Sequence, residues 1–281
     1  MRSRRHRTSS GRFSTRKTVP TTTTSDGIEL YYEVSGSGET VVFVNDAGFG
    51  AWLWGWQHGT VAGPYETIVW DLRGTGRSDA PAGPYDVGRL AADLEAVLSA
   101  AQIRSTHLVG AGLGGMIALQ YASRYNRAET LTLFNTAGSG EAVDESAMRA
   151  LYAAPDDTDA LEQSLSGAFS ETFRDAEPAL VDQICAWRAQ EDATPAGFEA
   201  QVDAMLSFDA GPLYEITVPA LVCHGLEDPV VPIEAGEELA DGLPRGEFEA
   251  VEGRHLCFIE HSIAVTDRLL AFLDEYAGGA V

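Results

Sequence analysis

Apolar positions along the chain follow two alternating rhythms. Short bounded runs read as strands: IELYYEV (28–34), TVVFVN (40–45), ETIVWD (66–71), THLVG (106–110) and ETLTLFN (129–135). Several are rich in β-branched residues and flanked by turn formers, the signature of buried strands. Between them, Leu90, Leu94, Val97, Leu98 and Ala101 recur at helical spacing within 86–103, with Asp93 and Glu95 assigned to the solvated face. A second helix runs from Met116 to about Tyr125. Strands alternating with helices predict a mostly parallel central sheet flanked by helices. The rhythm breaks after Asn135. Residues 141–213 contain helix formers punctuated by Pro155, Pro178 and Pro195, which predicts an inserted helical cap. Alternation resumes with VPALVCHG (218–225), a helix near Glu234–Leu239, the strand GEFEAV (246–251) and a last helix to about Tyr276. The predicted organisation is a tail over 1–24, an α/β core over 25–140 and 214–281, and a cap over 141–213.

Charge separates the tail from the rest. Seven of the 19 basic residues lie in the first 17 positions, and no acid precedes Asp26. From residue 18 onward 12 arginines face 42 acids, a net of −30, and Lys17 is the chain's one lysine. The basic head has no apolar segment behind its arginines, so it reads as a disordered tail rather than an export signal. The acidic body repels nucleic acid and anionic membranes, and no run approaches a membrane span. Such a surface suits a halophilic cytoplasm, where salt screens self-repulsion. The three cysteines are widely spaced and odd in number, which predicts no disulfide framework, and no H-x-H or H-E-x-x-H occurs, so neither metal nor cofactor is expected.

The stretch VGAGLGG (109–115) poses the central question. Gly110, Gly112 and Gly115 match G-x-G-x-x-G, between a strand and a helix, as a dinucleotide-binding turn requires. The same context fits a nucleophile elbow, G-x-S-x-G, with glycine in place of serine. A dinucleotide fold wants this turn in its first strand–helix unit and an acid at the end of the next strand; here several elements precede it, and the next strand ends in Asn135. A dinucleotide-binding oxidoreductase is therefore disfavoured. The elbow reading requires an acid and then a histidine downstream, and Asp228 and His255 each follow a predicted strand, where open α/β sheets gather their sites.

With those motifs in order, residues 25–277 resemble the α/β-hydrolase superfamily. DLRGTGRSDAP (71–81) is similar to that family's loop after the fourth strand, ITVPALVCHGLEDPVVP (216–232) to its acid segment and GRHLCFIEHSIAVTDRLLAFLDE (253–275) to its histidine and final helix. VNDAGFGAWLWGWQ (44–57) resembles the oxyanion segment of β-ketoadipate enol-lactonases. The resemblance implies an oxyanion hole formed by the backbone N–H groups of Ala47 and Leu113, and ester or lactone chemistry on a small molecule. Two departures matter. Gly112 stands where the family has its serine, so it has no side chain with which to form an acyl-enzyme. Asp46 stands beside the expected hole and would oppose an oxyanion there; it is expected to turn away and bond a neighbouring backbone N–H.

The expectation is a non-covalent hydrolase or lyase in which His255, oriented by Asp228, acts as general base. The alternative is a pseudo-hydrolase that binds a ligand without turning it over; a relocated nucleophile, Asp46 or Ser139, is a third reading. Phe49, Trp52, Trp54, Leu113, Trp187 and Met205 are the expected walls of a pocket for an apolar or cyclic small molecule.

Overall fold

The computed structural model describes residues 20–278, so positions 1–19 of the expected tail lie outside the described residues. The described residues start inside that segment: Thr21–Thr23 (β1) pairs antiparallel with Glu29–Gly36 (β2). Thr40–Val44 (β3) follows, then a helical turn into Gly55–Val61 (α1), Glu66–Trp70 (β4), Val87–Ala100 (α2), Thr106–Ala111 (β5), Leu113–Arg124 (α3) and Ala128–Phe134 (β6). Five helices come next: Glu145–Ala150 (α4), Thr158–Ala168 (α5), Glu171–Ala176 (α6), Pro178–Glu191 (α7) and Pro195–Leu206 (α8). The chain closes with Ala220–Gly225 (β7), Ile233–Gly242 (α9), Gly246–Val251 (β8), Cys257–Glu260 (α10) and Ser262–Tyr276 (α11).

The eight strands form one sheet in the order β1-β2-β4-β3-β5-β6-β7-β8. Among the described strands the β1–β2 and β2–β4 pairings are antiparallel and the others parallel. Every residue of β3, β5 and β7 is buried, as expected where helices cover a parallel sheet. α1 packs with α11 and α2 with α3, while α9 lies on β7 and β8. Side chains start several helices: Asp86, Asp144, Asp157, Ser170 and Thr194 each accept a first-turn N–H, and Pro178 and Pro195 sit in the first turns of α7 and α8. Among the described residues no helix is long and apolar enough to cross a membrane.

Asp93 differs from its expected solvated position. Its side chain is buried, and its two oxygens take Nε and Nη2 of buried Arg73, both at 2.6 Å. A two-pronged pair of this kind meets both desolvated charges with directed hydrogen bonds. It ties α2 to the loop after β4, whose Asp71 in turn accepts the N–H groups of Ala51 and Arg77.

The cap is sewn to that loop and to the segment after β3. The Gln201 side chain on α8 is buried; its oxygen accepts Gly48 N–H at 2.8 Å and its nitrogen donates to Arg73 O and Thr75 Oγ1, both at 2.8 Å. Ala193 N–H donates to Gly48 O and Thr194 N–H to Gly74 O.

Candidate active site

Three strand ends converge on one point. β5 lies between β3 and β6, with Gly110 opposite Val44 on one side and Leu133 on the other. The chain then turns sharply at Gly112, with φ +48° and ψ −115°, and enters α3. That left-handed geometry favours glycine. The turn is fixed by Gly112 N–H donating to Phe134 O at 2.9 Å and by Thr136 Oγ1 donating to Gly112 O at 2.7 Å. The neighbouring glycines serve close packing: a Cβ on Gly114 would overlap Val44 O, and one on Gly115 would overlap the Thr136 side chain.

Asp46 does not turn away. It bonds a neighbouring N–H as expected, but in doing so it enters the hole. Its Oδ1 accepts both Ala47 N–H at 2.7 Å and Leu113 N–H at 2.8 Å, the two donors the sequence assigns to the oxyanion hole. Its Oδ2 lies 2.9 Å from His255 Nε2. A Cβ on Gly112 would overlap this carboxylate. Asp46 thus fills the space that a serine side chain at 112 would need, and glycine is the residue that makes room for it.

His255 sits between two carboxylates, because its Nδ1 lies 2.9 Å from each oxygen of Asp228. Burial opposes charge on this imidazole, but Asp228 and Asp46 outweigh it and raise His255 to about 10. Burial also opposes charge on Asp228; the His255 charge and hydrogen bonds from His224 and His255 override it and hold the carboxyl well below the usual range. The side chains of Asp46, Asp228 and His255 are all essentially inaccessible to water. Both ring nitrogens of His255 thus lie against carboxylates that favour its protonated form, an arrangement the sequence reading of a general base oriented by Asp228 alone did not include.

Asn135 was not assigned a role from the sequence. Its φ of +49° is unusual for a residue with a side chain, though asparagine tolerates it better than most. Its Nδ2 donates to Asp228 Oδ2 at 2.8 Å, and its Oδ1 accepts from Cys257 Sγ at 3.1 Å. The Val230 and Val231 N–H groups donate to Asp228 Oδ1, so the acid is held from three directions. An asparagine closing a buried strand was the available signal, but nothing in the sequence paired it with Asp228.

The expected pocket walls fall into two groups. Phe49, Trp52 and Trp187 lie at the seam between core and cap. Trp52 stacks on Trp187, meets Phe49 edge-on and donates from Nε1 to Asp192 at 2.8 Å. Asp192 pairs with Arg188 at 2.7 Å, both buried, and the Arg188 guanidinium lies 5.1 Å from the Phe49 ring centre. Trp54 belongs to the core, stacked on Phe258 and against Phe43 and Phe134. Met205 is buried in α8, and its carbonyl would be overlapped by a Cβ on Gly140. Ser139 accepts Glu141 N–H in its own turn and lines a cavity of about 310 Å³ with Ala137, Asp209 and Leu213. Another cavity, of about 400 Å³, opens beside α6 between Ser170, Phe173, Glu227 and His261. Neither lining includes Asp46, Gly112 or His255.

Residues 41–268 match the model of a family described as the alpha/beta hydrolase family. The chain belongs to the α/β-hydrolases. It is 27% identical to 3-oxoadipate enol-lactonase 2 of Acinetobacter baylyi over 263 residues, covering 91% of this chain and 97% of that one. It is 32% identical to a putative carbamate hydrolase RutD of Variovorax paradoxus over 235 residues, covering 76% and 84%. Among solved structures, the enol-lactonase from Burkholderia xenovorans superposes with a TM-score of 0.80 at 26% identity, covering 91% of this chain and all of that one. The mostly parallel eight-stranded sheet is that of an α/β-hydrolase, and these relatives bear the names of hydrolases.

Proposed function

We propose that this α/β-hydrolase hydrolyses a small, apolar or cyclic molecule, with Asp46, His255 and Asp228 in place of a serine triad. One observation carries the reading: the Asp46 carboxylate occupies the space above Gly112 while touching both oxyanion-hole donors and His255 Nε2. A reactive oxygen is thereby set beside an imidazole that Asp228 orients, as a hydrolytic triad needs. His255 starts as an acid and becomes a base once the charge on Asp46 is neutralised. The lactonase and carbamate hydrolase names of the relatives support hydrolysis as the reaction class. The large acid excess supports a salt-rich cytoplasm as its setting. The test is a panel of esters, lactones, carbamates and other hydrolysable small molecules on wild type, Asp46→Asn and His255→Gln. Turnover by wild type that falls at least about 10²-fold in both variants is expected, the lower range for losing an acid–base group. Equal turnover in all three removes the reading.

A second reading, a ligand-binding pseudo-hydrolase, is favoured by the sealed seam and by an oxyanion hole filled by the protein's own carboxylate. It expects no turnover of any probe and a ligand whose binding survives both substitutions.

A further inference from the structure

In a serine hydrolase the oxyanion hole receives the carbonyl oxygen of the substrate. Here both donors already hold Asp46 Oδ1. An acyl substrate attacked at its carbonyl would have nowhere to place its developing charge. A substrate attacked at a saturated carbon develops no such charge. The geometry points to Asp46 as a covalent nucleophile toward a saturated carbon bearing a leaving group, an alkyl halide or an epoxide, with the hole serving the enzyme's own carboxyl in the second step. This rests on the hydrolytic reading above and narrows its substrate class.

The steps balance. Asp46 Oδ2 forms a bond to the substrate carbon as the bond from carbon to the leaving group breaks, and the electron pair departs with halide or with the ring oxygen. The product is an alkyl ester of Asp46 whose carbonyl oxygen, Oδ1, already lies between Ala47 and Leu113 N–H. Esterification removes one of the two carboxylates that hold the proton on His255, so the imidazole passes that proton to the departing alkoxide or, after halide loss, to solvent. Neutral Nε2 then takes a proton from water as the water oxygen adds to Asp46 Cγ. Negative charge gathers on Oδ1, where two N–H groups receive it. The Cγ–Oδ2 bond breaks, the alcohol leaves with the old Oδ2 and the proton from His255, and the water oxygen remains in Asp46. The sum is one water consumed and one alcohol plus acid, or one diol, released.

The experiment uses the full chain with bromobutane, styrene oxide and para-nitrophenyl acetate. His255→Gln is treated with each alkylating probe and digested. An alkyl group on the peptide carrying Asp46, absent from Asp46→Asn, is expected. Wild type turning over in heavy-oxygen water is expected to acquire the label in the Asp46 carboxyl, and this readout stands even where His255→Gln does not fold. Turnover of the alkylating probes should fall roughly 10³–10⁶-fold in Asp46→Asn, the scale of removing a nucleophile. An Asp46 that stays unmodified and unlabelled under saturating probe, while surface carboxylates react, overturns the inference. If para-nitrophenyl acetate is meanwhile hydrolysed through His255, the inference falls and the hydrolase reading stands.

Discussion

At the scale of single residues the site rests on an interlock between positions 46 and 112. Gly112→Ser is expected to destabilise the protein by more than the roughly 1–3 kcal/mol of backbone strain, because its Cβ meets the Asp46 carboxylate. In an Asp46→Ala background the same change should be much less costly, with a coupling of about 0.5–3 kcal/mol in a double-mutant cycle read by urea unfolding. The double variant, with the hole emptied, should also gain reaction with a serine-directed phosphonate. A second expectation concerns pH. His255 is raised in the fold from the ordinary histidine value to about 10. Its charge therefore adds stability that is complete below about pH 6.5 and is lost as pH rises through 10. Unfolding free energy measured from neutral to alkaline pH should fall across that window. In Asp228→Asn, which removes the main support for the proton, the fall should be smaller and should end nearer neutrality. His255 and Asp228 were legible in the sequence because each follows a strand in the required order. The orientation of Asp46 was not. A carboxylate beside an oxyanion hole looks unfavourable until the empty space above Gly112 and the charge on His255 are known, and both depend on residues distant in sequence.

At the scale of elements, apolar periodicity located most strands and the long helices. β1 escaped because three threonines carry no apolar signal and form a strand only by pairing with β2. α1 escaped because GWQHGTV has two glycines and little apolar period; it buries Gln57 and Val61 and packs on α11. Asp93 was misread because helical spacing marks the apolar stripe and says nothing of Arg73, which meets it from another loop. The cap depends on one buried side chain in particular. Gln201→Leu removes three hydrogen bonds that cross from α8 to the core and leaves Gly48 N–H, Arg73 O and Thr75 Oγ1 without their partner. Each group left unpaired costs about 1–3 kcal/mol. Faster amide exchange at Gly48 and a lower unfolding midpoint are expected. Unchanged exchange at Gly48 would show that the seam is held elsewhere.

The whole molecule is dominated by its charge. The sequence gives 12 arginines against 42 acids after residue 17, and the arginines are heavily committed. Arg73, Arg77, Arg127, Arg149, Arg188 and Arg268 each hold at least one carboxylate, and Arg149 reaches three. The remaining acids repel one another across the surface, and raising salt from about 0.1 M to 1 M shortens that repulsion from roughly 10 Å to 3 Å. The thermal midpoint should therefore climb by several degrees from low salt to molar potassium chloride, each kcal/mol being worth roughly 2–4 °C in a chain of this size. A midpoint indifferent to salt would count against a high-salt habitat. The acid excess itself was fully legible in composition, since it needs only the sum of charges.

The crowding above Gly112 also constrains the lineage. A chain with serine at 112 leaves no place for the carboxylate where Asp46 now lies. A homologue with serine at the bend is therefore expected either to lack an acid at the position of Asp46 or to turn that acid out of the hole.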